Sequence, residues 1–240
     1  MYAYDFDGDG DNDVLSGPAA HGFGLHLFRN TSKDGQVTFD AQRILGATPQ
    51  ESDYGVVFSE IHAVDLADMD GDGIKDIVTG KRFWSHSAAE RHSRGPRVLY
   101  WFKTLRTPAG VGFVPQCIDG ASGVGVQVVA GDVNADGLPD VVVANKAGAF
   151  VHLHEARKVD KGVWEASLPR PWLAVAEARR SRTASGEGTQ EKASGSADNY
   201  AHAGLKPDEA AGAMTLPPGF SATLFAGEPD VEQPIAMVID

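Results

Sequence analysis

Short runs of apolar, often β-branched residues alternate with glycine and aspartate through the first two thirds of the chain. Runs of this length and composition, bounded by Gly and Asp, are typical of β-strands. They flank three acidic turns, which begin at residues 5, 68 and 132 and are therefore 63 and 64 residues apart. The segment before the first turn is too short for such a run. We therefore expect the first copy to lack its first strand and the chain to begin in the middle of a repeat.

Two further strand-like runs follow each turn. Four short strands in a repeat of about sixty residues match the size of a β-propeller blade with long loops. The pattern therefore predicts an all-β fold, a partial β-propeller of four-stranded blades that is incomplete at its N-terminus, over residues 1–173. The additional runs are residues 24–28 and 37–40, 97–102 and 112–114, and 149–154 and 162–165.

The composition changes after the third repeat. Residues 174–214 are rich in Ala, Ser, Gly, Glu and Lys and contain almost no large apolar side chains. Such a segment cannot bury enough surface to offset the entropy lost on ordering, which predicts a flexible, disordered linker. Strand-like alternation resumes in residues 215–240, which we expect to be the first strands of a truncated second domain.

Each acidic turn carries oxygen-bearing side chains at its first, third, fifth and ninth positions and glycine at its sixth. With a backbone carbonyl from position seven and a water, this set reaches the about six to eight oxygens that Ca²⁺ prefers. The glycine allows the tight backbone turn. The predicted Ca²⁺ ligands are Asp5, Asp7, Asp9, Asp11 (carbonyl) and Asp13 in the first turn, Asp68, Asp70, Asp72, Ile74 (carbonyl) and Asp76 in the second, and Asp132, Asn134, Asp136, Leu138 (carbonyl) and Asp140 in the third.

Two other interpretations of the acidic turns are less consistent with the sequence. An EF-hand loop needs Glu at position twelve between two helices, whereas position twelve here is Ser16, Thr79 and Val143 and the flanks are strand-like. Acidic turns without a metal are the second alternative. It is disfavoured because five unneutralised carboxyl groups in one turn would repel one another strongly.

Charge and hydropathy exclude several classes of partner. The net charge of −12 argues against nucleic acid, since phosphate binding needs a basic surface. No run approaches the roughly 18 apolar residues of a spanning helix, so no membrane insertion is predicted. The N-terminus lacks the basic and apolar regions of a signal peptide. The single cysteine, Cys117, excludes an intrachain disulfide and is predicted to be a small buried residue.

Evidence for catalysis in the sequence is weak. There is no G-x-S-x-G, phosphate loop or H-E-x-x-H motif. His152 and His154 fall on one face of a predicted strand and could bind a transition metal, but a surface-facing stripe is the interpretation we favour. Residues 81–96 form a basic, His-containing insertion that is either a binding rim or a solvated surface loop.

The repeated pattern, Asp-x-Asp/Asn-x-Asp-Gly-x-x-Asp between hydrophobic runs, resembles the FG-GAP/VCBS repeats of integrin-α-type β-propellers over residues 1–170. This resemblance implies a seven-bladed propeller with Ca²⁺ in its hairpin loops, usually serving extracellular adhesion or recognition of carbohydrate or protein. It also implies an extracytoplasmic, periplasmic or secreted location. Residues 216–236 resemble the opening strand of the propeller in PVC-type membrane-bound dehydrogenase-like proteins, which are related to glucose/sorbosone dehydrogenases.

Two functions follow as hypotheses. The first is a non-catalytic, Ca²⁺-binding recognition module whose ligand is an unidentified protein or carbohydrate. The second is the accessory N-terminal portion of a dehydrogenase-like enzyme whose catalytic propeller lies beyond Asp240.

Overall fold

The computed structural model describes residues 1–19, 21–84, 95–171, 209 and 220–226. These residues form three four-stranded antiparallel sheets, one short α-helix and the loops that connect them. Sheet I contains β1 (Tyr2–Tyr4), β2 (Asp13–Ser16), β3 (Leu25–Asn30) and β4 (Phe39–Leu45); sheet II contains β5 (Val64–Ala67), β6 (Asp76–Gly80), β7 (Leu99–Thr107) and β8 (Gly110–Asp119); sheet III contains β9 (Val128–Gly131), β10 (Asp140–Asn145), β11 (Gly148–His154) and β12 (Phe220–Ala226). The predicted all-β fold of four-stranded, blade-like sheets is confirmed.

Strands follow one another in chain order within every sheet, and the acidic turns join the first strand to the second. The ninth residue of each turn is the first residue of the second strand. It lies opposite the last residue of the first strand, in the pairs Tyr4↔Asp13, Ala67↔Asp76 and Gly131↔Asp140. The three turns therefore occupy the same place in three equivalent sheets.

The sheets pack face to face, and sheet II is buried on both sides. Successive side chains of a strand point to opposite faces. Ile77 accordingly lies in an apolar core shared with sheet I, while its neighbour Val78 lies in a core shared with sheet III. Phe6 of the first acidic turn and Leu27 of β3 contribute to the first core, and Phe150 of β11 contributes to the second.

Two strand predictions are wrong. The first repeat does have a first strand, since β1 pairs with β2 from Tyr2↔Leu15 to Tyr4↔Asp13. All three residues of β1 pair with β2, so the short segment before the turn is long enough for a first strand. Residues 162–165, predicted as a strand, lie in the helix α1 (Lys161–Ser167), in which the Trp164 amide donates to the Asp160 carbonyl at 3.0 Å.

The fourth strand of sheet III comes instead from the C-terminal segment. The backbone of β12 pairs with β11 from His154↔Phe220 to Ala149↔Ala226. The predicted boundaries at residues 173 and 215 stay predictions, because the linker of residues 174–214 falls outside the described residues apart from Glu209. Residues 85–94 of the predicted insertion also fall outside them. Among the described residues there is no helical segment with the length and hydropathy of a membrane span.

Candidate metal centres in the acidic turns

The first aspartate of each turn organises the turn through backbone amides. In the second turn, Asp68 accepts hydrogen bonds from the amides of Gly71 (2.9 Å), Asp72 (3.0 Å) and Gly73 (2.8 Å). Gly73 has φ of +85°, a conformation that suits glycine at this position. Matching bonds join Asp5 to the amides of Gly8 and Gly10, and Asp132 to those of Asp136 and Gly137.

The ninth aspartate ties the turn to the third strand of its sheet. Asp76 is fully buried, and its two carboxylate oxygens accept from the amides of Met69 (3.1 Å) and Thr104 (2.8 Å). Thr104 lies on β7. The same two bonds are made by Asp13 with Phe6 and Asn30, and by Asp140 with Val133 and His154. A carboxylate oxygen has two lone pairs, so each can accept an amide and still face a cation.

The side chain of the fifth residue accepts a hydrogen bond from the backbone amide of the seventh. Asp9, Asp72 and Asp136 each accept this bond at 2.9 Å, from Asp11, Ile74 and Leu138 respectively. This local bond gives the loop its curvature. The three turns therefore share one hydrogen-bonded frame.

Carboxylates converge in the first and second turns. Single ligand oxygens of Asp5, Asp7 and Asp13 lie within 4.8 Å of one another, and the same holds for a second trio. Within the described residues these are the two clusters of three or more His, Cys, Asp or Glu side chains with such spacing. The second trio is Asp68, Asp70 and Asp76.

The third turn differs at its third position. Asn134 accepts a hydrogen bond from the Asp136 amide at 3.1 Å, and its own amide group donates to the Asp136 carboxylate at 2.9 Å. This turn therefore offers one carboxylate fewer than the second. The donor set still consists of oxygens, which is the set that suits a hard cation.

Carboxylate crowding is visible in the protonation equilibria. Burial, with a further contribution from Asp70, raises the pKa of Asp76 to about 7, although the Thr104 amide works in the opposite direction. Burial and then the neighbouring charges of Asp13, Asp9 and Asp5 raise the pKa of Asp7. Burial and neighbouring negative charge both disfavour the ionised carboxyl groups, and a bound cation would offset both effects.

Two basic side chains of β7 reach the turns, and the sequence did not predict them. Lys103 Nζ donates to carboxylate oxygens of Asp70 and Asp72, the latter at 2.7 Å. Arg106 extends to the first turn, where Nε donates to the Phe6 carbonyl at 3.0 Å. The Lys103–Asp72 contact joins residues 31 apart in the chain, and the Arg106–Phe6 contact joins residues 100 apart. The spacing within a turn therefore says nothing about either contact, and only an alignment of the third strands of the repeats could have indicated Lys103.

Two family models match the chain in the region of the turns. Residues 5–79 match an FG-GAP-like repeat and residues 124–154 match an FG-GAP repeat. The chain is therefore similar to FG-GAP repeats over these two segments. The first match includes the first and second acidic turns, and the second includes the third turn. No curated protein matches the chain. Neither family match extends past residue 154, so the predicted likeness of residues 216–236 to dehydrogenase-like propellers stays a prediction.

Two residues outside the turns, His152 and Cys117, differ in burial from what the sequence predicts. His152 is completely buried rather than on a surface stripe, because it faces the core between sheets II and III. Neither of its ring nitrogens has a hydrogen-bond partner in the described part of the chain. Burial lowers the pKa of His152, and the Asp119 carboxylate opposes that shift. Cys117, predicted to be buried, is exposed at a bulge of the β7–β8 pair, where the register shifts.

Proposed function

We propose that the three acidic turns bind Ca²⁺ and that the ions act as structural clamps in a non-catalytic recognition module. The observation that carries the proposal is the convergence of carboxylate oxygens within 4.8 Å in the first and second turns, which lie in a segment similar to FG-GAP-like repeats. The third turn is included because it has the same hydrogen-bonded frame and an oxygen-only donor set. Oxygen-only ligands and a turn partly open to water suit Ca²⁺, which accepts flexible coordination by about six to eight oxygens.

The clamp works through the ninth aspartate. In the second turn, positions one, three and five belong to the hairpin, whereas Asp76 is also bonded to Thr104 of the third strand. A cation shared between these groups connects three strands of the sheet. It also offsets the cost of burying the charged Asp76 carboxylate, which is the main reason that the pKa of Asp76 is raised, and the smaller repulsion from Asp70. Because the ion binds the folded state, each site adds about 2.7 kcal/mol of stability at a hundredfold excess over its Kd.

The same sheets are proposed to be blades of a β-propeller. The first strands of successive sheets are linked by side chains: the Tyr2 hydroxyl donates to Asp65 at 3.3 Å, and the other oxygen of Asp65 accepts from the Ala130 amide at 2.8 Å. A cavity of about 660 Å³ is lined by residues of these strands, including Val64 and Val129. Links between first strands are what a common central axis requires.

Recognition of a protein or carbohydrate outside the cytoplasm is the proposed role of the module. The FG-GAP repeat matches support it, since such repeats usually serve extracellular recognition. The two convergent acidic clusters in the described residues belong to the structural turns, and neither includes a histidine or cysteine. We therefore assign the ions to stability and assign ligand binding to the surface that the sheets present.

Thermal unfolding of the whole chain tests the clamp. The melting temperature is measured in EDTA, in excess Ca²⁺ and in equal Mg²⁺. We expect a clear rise with Ca²⁺ and a smaller one with Mg²⁺, which holds its water more tightly and demands stricter geometry. Equal melting temperatures in EDTA and Ca²⁺ would refute the clamp. A screen of immobilised glycans and extracellular proteins, repeated in EDTA, then tests recognition.

A further inference from the structure

One position on the third strand differs between the three sheets. On each third strand, one residue donates its backbone amide to the ninth aspartate of the turn; these residues are Asn30, Thr104 and His154. The position of interest is the one immediately before that residue. The equivalent residues are Arg29 in sheet I, Lys103 in sheet II and Leu153 in sheet III.

Only the lysine of this set places its charge inside a turn. Lys103 Nζ binds the carboxylates of Asp70 and Asp72 at once. Arg29 turns away to β4, where its guanidinium lies 3.8 Å from Asp40. Leu153 carries no charge. The second turn is thus the one of the three in which this position supplies a cation.

The Lys103 contact involves the proposed metal ligands themselves. Asp70 and Asp72 are the third and fifth residues of the turn, and the side chain of Lys103 is only 25% exposed. Hydrogen bonding from Lys103 is the main reason that the pKa of Asp72 is lowered. An ammonium group and a Ca²⁺ ion bound to the same carboxylates would lie only a few ångströms apart and would repel each other strongly, which a neutral backbone amide does not do.

We propose that Lys103 is a resident counter-cation of the second acidic turn, and that Ca²⁺ must displace its ammonium group to bind there. The inference rests on the proposed Ca²⁺ function and adds an order to it: the second turn fills at higher Ca²⁺ concentration than the first. The first turn has five aspartates, and the equivalent Arg29 pairs elsewhere. Arg106 does reach the first turn, but in the described contacts it donates to the backbone carbonyls of Phe6 and Asp5 and not to the carboxylates. In the metal-free protein, Lys103 keeps the second turn neutralised in part.

A site-resolved titration of the whole chain tests this order. The sixth-position amides of Gly10, Gly73 and Gly137 each donate to the first aspartate of their own turn, so their NMR shifts report on each turn separately. We expect the Gly73 midpoint to lie above the Gly10 midpoint in the wild-type protein. In Lys103→Met the Gly73 midpoint should fall about tenfold, as expected for removal of a partly buried pair of ionic contacts.

Lys75→Met is the matched control. Lys75 is the eighth residue of the same turn, is exposed, and makes no ion pair with Asp70 or Asp72 among the described contacts. Its replacement removes the same charge, and the Gly73 midpoint should change by less than about threefold. If both variants lowered the Ca²⁺ midpoint at Gly73 equally, the effect would be one of general charge, and the counter-cation role of Lys103 would be overturned. An unchanged midpoint in Lys103→Met would overturn it outright.

A measurement on the wild-type protein covers the case in which Lys103→Met folds poorly. The side-chain ammonium signal of Lys103 should be protected from solvent exchange in EDTA and lose that protection as Gly73 titrates. Protection that persists at saturating Ca²⁺ would overturn the displacement. If none of the three glycines responds to Ca²⁺, the proposed function itself fails, which is a distinct outcome from a response with unchanged order.

Discussion

The second and third acidic turns have nearly the same hydrogen-bonded frame and very different electrostatic surroundings. In both, the first and fifth residues cap amides of the turn and the ninth binds an amide of the third strand. The second turn has four aspartates and the ammonium group of Lys103. The third has three aspartates, Asn134 and an apolar neighbour, Leu153. The frame is therefore set by residues within the turn, whereas its charge balance also depends on a residue of the third strand.

Removal of the ninth aspartate should have the largest effect and should break both turns alike. Asp76→Ala and Asp140→Ala each leave two backbone amides without their acceptor, and these bonds are buried in the second turn and partly buried in the third. We expect a loss of about 3 kcal/mol in the free energy of unfolding, measured by urea titration in EDTA. A loss below about 1 kcal/mol would show that water or a neighbour replaces the carboxylate.

Removal of the fifth aspartate should affect only its own turn. Asp72→Ala deletes a ligand and one partner of Lys103, so the Ca²⁺ midpoint at Gly73 should rise at least about tenfold while that at Gly137 stays constant. Asp136→Ala should show the converse pattern. Changes at both glycines in either variant would mean that the sheets respond as one unit and that the turns cannot be compared separately.

The pH dependence of stability distinguishes the interiors of sheets II and III. Counted along the third strands, His152 stands where sheet II has the buried Phe102. The folded-state pKa of His152 is lowered by burial from 6.5, so its contribution is present above that pH and is lost as the pH falls through the folded-state value.

His152→Phe places in sheet III the residue type that sheet II has at the equivalent position, Phe102. This substitution should remove the loss of stability at low pH that comes from His152. In EDTA, the free energy of unfolding of the wild-type protein should fall by about 1 kcal/mol more than that of the variant between pH 7.5 and 5.5. Urea unfolding at the two pH values measures the difference. Parallel losses in both proteins would mean that protonation of His152 does not limit stability in this range.

Local patterns predicted the sheets because the turns mark the same point in every repeat. The runs around Ile77 and Val141 are β-branched and buried, so propensity and packing agree. The three-residue strand β1 was missed because it is too short for a pattern to appear. The helix α1 was missed because Val163 and Trp164 suggested a strand, although both are exposed in the helix.

The candidate site was only partly accessible to sequence reasoning. The ligand-bearing positions lie within nine residues of one another, so their spacing is informative. Lys103 and Thr104 come from a strand that joins the turn only through sheet pairing, and the spacing within the turn carries no information about them. The burial of His152 likewise depends on how sheets II and III pack together.

Calorimetric titration of Ca²⁺ into the EDTA-treated whole chain, after removal of the chelator, tests the central claim most directly. Three acidic turns predict saturable binding of three ions per chain, with one or more weaker steps at the higher concentrations. Heat no larger than that of dilution, over a range that reaches millimolar Ca²⁺, would contradict the assignment of the turns as calcium sites.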